Sequence, residues 1–394
     1  MFDMLIIIEF MFFYGRPETA WYKRVAIISV LCLTIPVIPS TNLLLKGYSQ
    51  SDPSVSFKAG TSMDRFQYFY TELNVVVTYI KLLIIPDRQN FDYGNDYPVS
   101  HTIWENHSYV SLIILSVIGA AGILNVRRNK LFSLGVLWFF TTISVESSFI
   151  SIKDVYFEHR LYLPTAGFLM AVAGLVLGEY KIPRLNSGSR KPVFFFSLLF
   201  ALMTFFYTGL TLRRNYIYSD EIRLWSDVVA KAPGSDRAHG VLGANYMDRY
   251  REGDKNTERY LELAEKELAE SIRLNYGNDV SHCNLARVYL MENKPDQCIR
   301  EAYTAIRLNP SVYAYNNMGS AYLKIGQTDM ALSAFESGLK LDGRNTFILK
   351  NIGDLYYEIK DYEKARYYYE EYRKNDIFKT GEVYKRLAAL GNGH

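Results

Sequence analysis

Two stretches hold side chains able to do chemistry. The first is FEHRLYLPTAG, in which Glu158, His159, Arg160 and Tyr162 precede a long apolar run. Ionisable groups beside such a run are costly unless paired or useful. Arg160 could neutralise a phosphate and Glu158 could orient that arginine. The same residues also fit an interfacial anchor with an internal ion pair. The second is PDRQNFDYGNDYP at 86–98. Asp87, Arg88, Gln89, Asp92 and Asp96 could bind a sugar or a divalent cation, and the tyrosines could stack on sugar faces; a polar loop held by turns is the alternative.

No nucleotide-binding loop, nucleophile elbow or histidine metal motif occurs in the chain. The three cysteines, Cys32, Cys283 and Cys298, make no CxxC pair. They read as buried thiols, although Cys283 and Cys298 could face one another across a helix pair. The net charge is +3 over 394 residues. From Ser235 onward 23 Lys and Arg stand against 24 Asp and Glu, so nothing there suits a polyanion and no nucleic-acid partner is expected.

Hydropathy divides the elements that would carry these residues. Residues 193–214, VFFFSLLFALMTFFYTGLTLRR, are almost wholly apolar and end on Arg213-Arg214, as a bilayer-crossing helix would. Before it, further crossings are expected at 25–45, 108–124, 131–149 and 161–178. The stretch 66–86 has spanning length but carries Glu72, Asn74 and Lys81, so it reads as a polar intramembrane, re-entrant or interfacial helix. The basic loops 15–24, 125–130 and 179–192 place themselves in the cytoplasm, which puts the C-terminal half outside. Met1 opens directly into FDMLIIIEFMFFYG, with Asp3 and Glu9 and no basic leader. Such a helix suits a packed bundle, and upstream helices are expected before it. Residues 1–214 are thus expected to form a multi-span membrane domain, incomplete at its N-terminus.

Residues 215–234 are expected to form an amphipathic connector helix, with Ile222, Leu224, Trp225, Val228 and Val229 on one face. Residues 235–394 then repeat. Leu242-Gly243 with Tyr246 is followed by Leu285-Ala286 with Tyr289, Met318-Gly319 with Tyr322 and Ile352-Gly353 with Tyr356. The small residues at 286, 319 and 353 are 33 and 34 apart. Second helices carry Ala302 and Ala305, Ala331 and Phe335, Ala365 and Tyr369. This is the tetratricopeptide (TPR) pattern of paired antiparallel helices, here about four repeats, with REGDKNTERY at 251–260 as an insertion. The expected fold is all-α: a polytopic helical membrane domain followed by a TPR solenoid. Asn284, Arg287, Asn316, Asn317 and Asn351 are the groove residues that could hold the backbone of an extended peptide, since an amide offers both donor and acceptor; a solvated helix face is the other reading.

Two stretches, LLIIPDRQNFDY at 82–93 and YFEHRLYLPTAGF at 156–168, resemble segments of polytopic, TPR-bearing O-mannosyltransferase-like proteins of the GT-C type. The resemblance implies a polyprenyl-phosphate-linked sugar as donor, Ser or Thr of envelope proteins as acceptor, and protein glycosylation as the activity. It also implies a multi-pass inner-membrane location with the repeats on the periplasmic side. The family's acidic catalytic loop has no counterpart here, so catalytic residues are unassigned, and the chain resembles the C-terminal portion of such an enzyme, inactive alone. No cofactor is identified beyond the divalent cation. A membrane-anchored, non-enzymatic TPR scaffold for an envelope complex is the alternative.

Overall fold

The computed structural model describes residues 63–86, 89–94, 96–144, 147, 155–178, 191–251, 257–376 and 381–391. The expected crossing at 25–45, the opening helix, Cys32, Asp87 and Arg88 lie outside these residues. The chain divides into two compact units, Met1–Arg214 and Asn215–His394.

In the first unit α1 spans Arg65–Ile84, α2 Ser108–Leu124, α3 Lys130–Ile143 and α4 Tyr162–Gly178. A helix α5, Lys191–Tyr218, runs past the boundary. Asp64 caps α1 in a capping box with Gln67, whose side chain accepts the Asp64 amide at 3.2 Å. Helices α3 and α4 approach very closely: a Cβ on Gly167 would lie 2.6 Å from the Phe139 amide nitrogen and 2.7 Å from the Gly135 carbonyl. Small residues there permit backbone-to-backbone contact. The core gathers Tyr68, Val75, Val76 and Tyr79 of α1, Leu115 of α2 and Phe139 and Ile143 of α3.

The expected polytopic membrane domain is corrected here. Among the described residues two helical segments, Glu105–Leu124 and Glu158–Val176, are long and apolar enough to cross a bilayer, and Lys130–Ile143 is shorter. Among the described residues these are fewer than the crossings expected there. Buried apolar residues of α1, α2 and α3 share one protein core instead. Residues of α2 and α4 such as Val117 and Leu169 remain exposed. Two of the polar groups of α1 that made 66–86 ambiguous, Asn74 and Glu72, find partners within the protein. Asn74 donates to Ser108 Oγ at 2.9 Å and accepts from Ser111 Oγ at 2.6 Å. Glu72 pairs with Arg160, and Lys81 is exposed.

In the second unit α6 spans Glu221–Lys231 and is capped by Asp220, which accepts the Arg223 amide. Four helix pairs follow: α7 (Asp236–Arg251) with α8 (Thr257–Leu274), α9 (Asp279–Met291) with α10 (Pro295–Leu308), α11 (Val312–Lys324) with α12 (Thr328–Leu341), and α13 (Thr346–Glu358) with α14 (Tyr362–Asn375). A last helix, α15 (Glu382–Gly391), packs on α14. Thr257–Tyr260, expected within the insertion, begin α8. The small-residue rule has a direct geometric cause. A Cβ on Gly319 would come within 2.5 Å of Phe335, and one on Gly353 within 2.6 Å of Tyr369. Each glycine therefore receives the large ring of its own second helix. First helices of successive repeats also lie side by side, α7 with α9, α9 with α11 and α11 with α13, the stacking that buries a solenoid's core.

Candidate functional site

In the first unit the 3-10 turn Glu158–Leu161 leads into α4 and carries the first group of candidates. It splits them. Arg160 points inward, its side chain buried, and reaches Glu72 Oε1 at 3.4 Å and the Val155 carbonyl at 3.0 Å. Glu72 is itself buried, and that burial raises its carboxyl to about 7, with Arg160 drawing it only part of the way back. So engaged, Arg160 ties α1 to the turn before α4. Glu158, His159 and Tyr162 face a cleft of about 560 Å³ that also takes in Gln89, over a floor of Leu82, Leu83 and Leu161. Glu158 Oε1 accepts the Asn90 amide at 2.5 Å, which ties the turn to the second candidate stretch.

That stretch is held by its own groups. Asp92 is buried and its Oδ1 accepts the Gly94 amide at 2.7 Å. Asp96 is exposed, and its amide donates to the Tyr93 carbonyl. The tyrosines expected to stack on sugar meet one another: Tyr93 and Tyr97 lie 4.3 and 5.1 Å from the buried Tyr156 ring, and Tyr79 lies 5.0 Å from it. Among the described residues no three His, Cys, Asp or Glu side chains converge as a metal site. Asp92 is thus engaged within the loop, while Asp87 and Arg88 lie outside the described residues.

In the second unit the first helices carry the groove candidates. Asn316 of α11 and Asn351 of α13 join across adjacent repeats, Asn351 Nδ2 donating to Asn316 Oδ1 at 2.8 Å. Both are half-buried, as are Asn284 and Arg287 on α9. Asn317 differs. It is buried, and its amide donates to the Cys283 carbonyl at 3.0 Å, stitching α11 to α9. Cys298 is buried behind it, its thiol 3.5 Å from the Asn317 carbonyl. Both thiols are free, and burial pushes Cys283 up to about 11 and Cys298 to about 12, far from reactive thiolates.

A pair of buried histidines was not singled out by the sequence. His239 of α7 has Nδ1 2.6 Å from Glu267 Oε2 on α8 and Nε2 3.1 Å from the Pro233 carbonyl. His282 of α9 repeats the arrangement one repeat later, with Glu301 at 2.6 Å and the Tyr276 carbonyl at 3.1 Å. Both stand four residues before the small residue of their repeat, where the later repeats place Tyr315 and Leu349. The repeat register was the signal that could have found them.

Residues 312–345 match a family model described as a tetratricopeptide repeat. The chain is similar to a tetratricopeptide repeat protein 21 homolog of Caenorhabditis briggsae, 25% identical over 157 residues, which cover 39% of this chain and 11% of that protein. It is similar to anaphase-promoting complex subunit 3 of Schizosaccharomyces pombe, 36% identical over 87 residues, covering 22% and 13%. The chain thus spans about an eighth or less of the length of these relatives. A solved structure titled for the functional characterisation of Pseudomonas aeruginosa pilF matches at 19% identity and a TM-score of 0.36, over 47% of this chain and 86% of that one.

These matches overturn the resemblance to GT-C O-mannosyltransferases. The matched family is a repeat, and neither curated relative is described as a sugar transferase. The sugar-transfer activity, the polyprenyl-phosphate donor and the glycosylation role fall with it. So does the multi-pass inner-membrane placement with periplasmic repeats, for which the described residues offer two span-length helices. What stands is an all-α second unit whose helix pairs stack as a TPR solenoid, an architecture whose stacked repeats build extended surfaces for protein partners.

Proposed function

We propose that this chain is a non-enzymatic TPR scaffold that holds an extended protein segment across the first helices of its repeats. The observation that carries this reading is the Asn316–Asn351 pair. The two amides bond to one another at 2.8 Å across neighbouring helices. That single bond leaves the Asn316 amide group and the Asn351 carbonyl oxygen, one donor and one acceptor on adjacent first helices. A peptide unit of an extended chain presents the complementary pair. Asn284 and Arg287 on α9 continue the half-buried polar face by one repeat. Asn317 is excluded from this role because its amide already serves the α9–α11 contact.

A photo-crosslinking residue placed at Ser320, one turn along α11 from Asn316, tests the reading in cells. It is expected to capture a discrete protein adduct that an exposed position on α12, Ser333, does not capture. Asn316→Ala with Asn351→Ala should weaken the captured partner's affinity about 30-fold, for two hydrogen bonds at about 1 kcal/mol each. Equal or absent capture from the two positions would overturn the groove.

A further inference from the structure

Three successive connections between repeats carry the same residue types at equivalent positions. Helices α8, α10 and α12 end in Arg273-Leu274, Arg307-Leu308 and Lys340-Leu341. The helices that follow place Val280, Tyr313 and Phe347 second in their sequence. Repeat packing does not cover them: Val280 is 61% exposed, Tyr313 61%, Phe347 58%, Leu308 41% and Leu341 51%. A cation in a helix's last turn is ordinary, because it complements the macrodipole. An exposed large apolar side chain accompanying that cation at three connections running has no such explanation in helix chemistry or in the solenoid core.

Charge distinguishes the last two connections. Arg273 is held by Glu270, to which its Nε and Nη2 donate at 2.7 and 2.6 Å. Among the described residues Arg307, Lys340 and Arg344 have no carboxylate partner. The nearby carboxylates are engaged locally: Asp279 accepts from Asn309 at 2.9 Å and Asp342 accepts the Arg344 amide at 3.0 Å. The connections at 307–313 and 340–347 therefore offer two aromatic and two leucine side chains together with three uncompensated cations.

We propose that this edge docks a protein segment rich in Asp and Glu with large apolar residues interspersed. The proposal rests on the scaffold reading and names its partner's chemistry. Tyr313 and Phe347 supply rigid rings that bury area at low rotamer cost. Arg307, Lys340 and Arg344 steer the acidic chain in and form charge-assisted hydrogen bonds with its carboxylates.

The test is selection of a displayed random-peptide library on the purified full chain, followed by anisotropy titration of the enriched peptides. Net-negative peptides carrying large apolar residues are expected. Their affinity should fall about tenfold or more with Arg307→Glu/Lys340→Glu and with Tyr313→Ser/Phe347→Ser, and should weaken at high salt. All four positions are exposed, so circular dichroism should stay unchanged. Neutral or basic enriched peptides that lose affinity only with Asn316→Ala/Asn351→Ala would overturn the acidic segment and leave the scaffold standing. No enrichment at all would overturn both. Binding of the chain to anionic phospholipid vesicles through Arg307 and Lys340, without peptide enrichment, would assign the edge to a membrane surface and also overturn the proposal.

Discussion

At the scale of single residues, His239 is the group whose state the surroundings dictate. Both ring nitrogens face acceptors, Glu267 Oε2 and the Pro233 carbonyl, and a neutral imidazole can donate from only one of them. The charged ring is favoured, and the hydrogen bond it donates to Glu267 holds the His239 pKa above its ordinary value; burial opposes the shift, and the Pro233 carbonyl and the charges of Glu267 and Glu270 support it. Because the folded value is the higher one, the stabilisation is complete below the unfolded histidine's pKa of about 6.5. It is lost as pH rises through the folded value. Thermal midpoints of the native chain should therefore decline over that window, and His239→Gln should flatten the decline. An equal slope in the variant would show that His239 binds no extra proton when folded. The asparagines show what the repeat pattern alone could not separate. Asn316 and Asn317 are sequence neighbours on a helix, yet Asn317 alone turns into the α9–α11 contact. Which of two adjacent amides is buried depends on the stagger between helices, which the spacing of small residues does not report.

At the scale of elements, α1 and the turn before α4 are joined by residues 88 positions apart, Glu72 and Arg160. The sequence singled out Arg160 as a group of interest. What it lacked was Glu72 as partner, since α1 read as a segment looking for a lipid or aqueous face. Within the fold, Arg160 compensates the one carboxylate buried on α1. Arg160→Ala should then leave Glu72 uncompensated and cost about 3–5 kcal/mol, whereas Glu72→Leu with Arg160→Met should recover most of the loss. Chemical denaturation followed by intrinsic fluorescence reads both. A loss of under about 1 kcal/mol for Arg160→Ala would mean that the pair is solvated rather than buried.

At the scale of the whole chain, the repeats were legible because a small residue of a first helix sits against a larger side chain of the second, Gly243 against Leu268, Gly319 against Phe335 and Gly353 against Tyr369, and the last three small residues are 33 and 34 apart. The first unit was less so. Apolar helices suit lipid and a protein core equally well, and for α1 and α3 it is the packing partners of Tyr68, Tyr79 and Phe139 that separate the two. The repeat architecture also makes stability local, because each repeat contacts only its neighbours. The last repeat tests this. Tyr369 is fully buried against Gly353, and its hydroxyl donates to Asp354 Oδ1 at 2.7 Å, where Arg386 of α15 also donates at 2.9 Å. Tyr369→Ala removes the ring and the centre of that network, at a cost of about 3–5 kcal/mol. Hydrogen exchange read by mass spectrometry should show protection lost in α13, α14 and α15 while α7 and α8 keep theirs. A uniform loss from α7 to α15 would instead show one cooperative block, in which a partner bound at any one repeat would stabilise all of them equally.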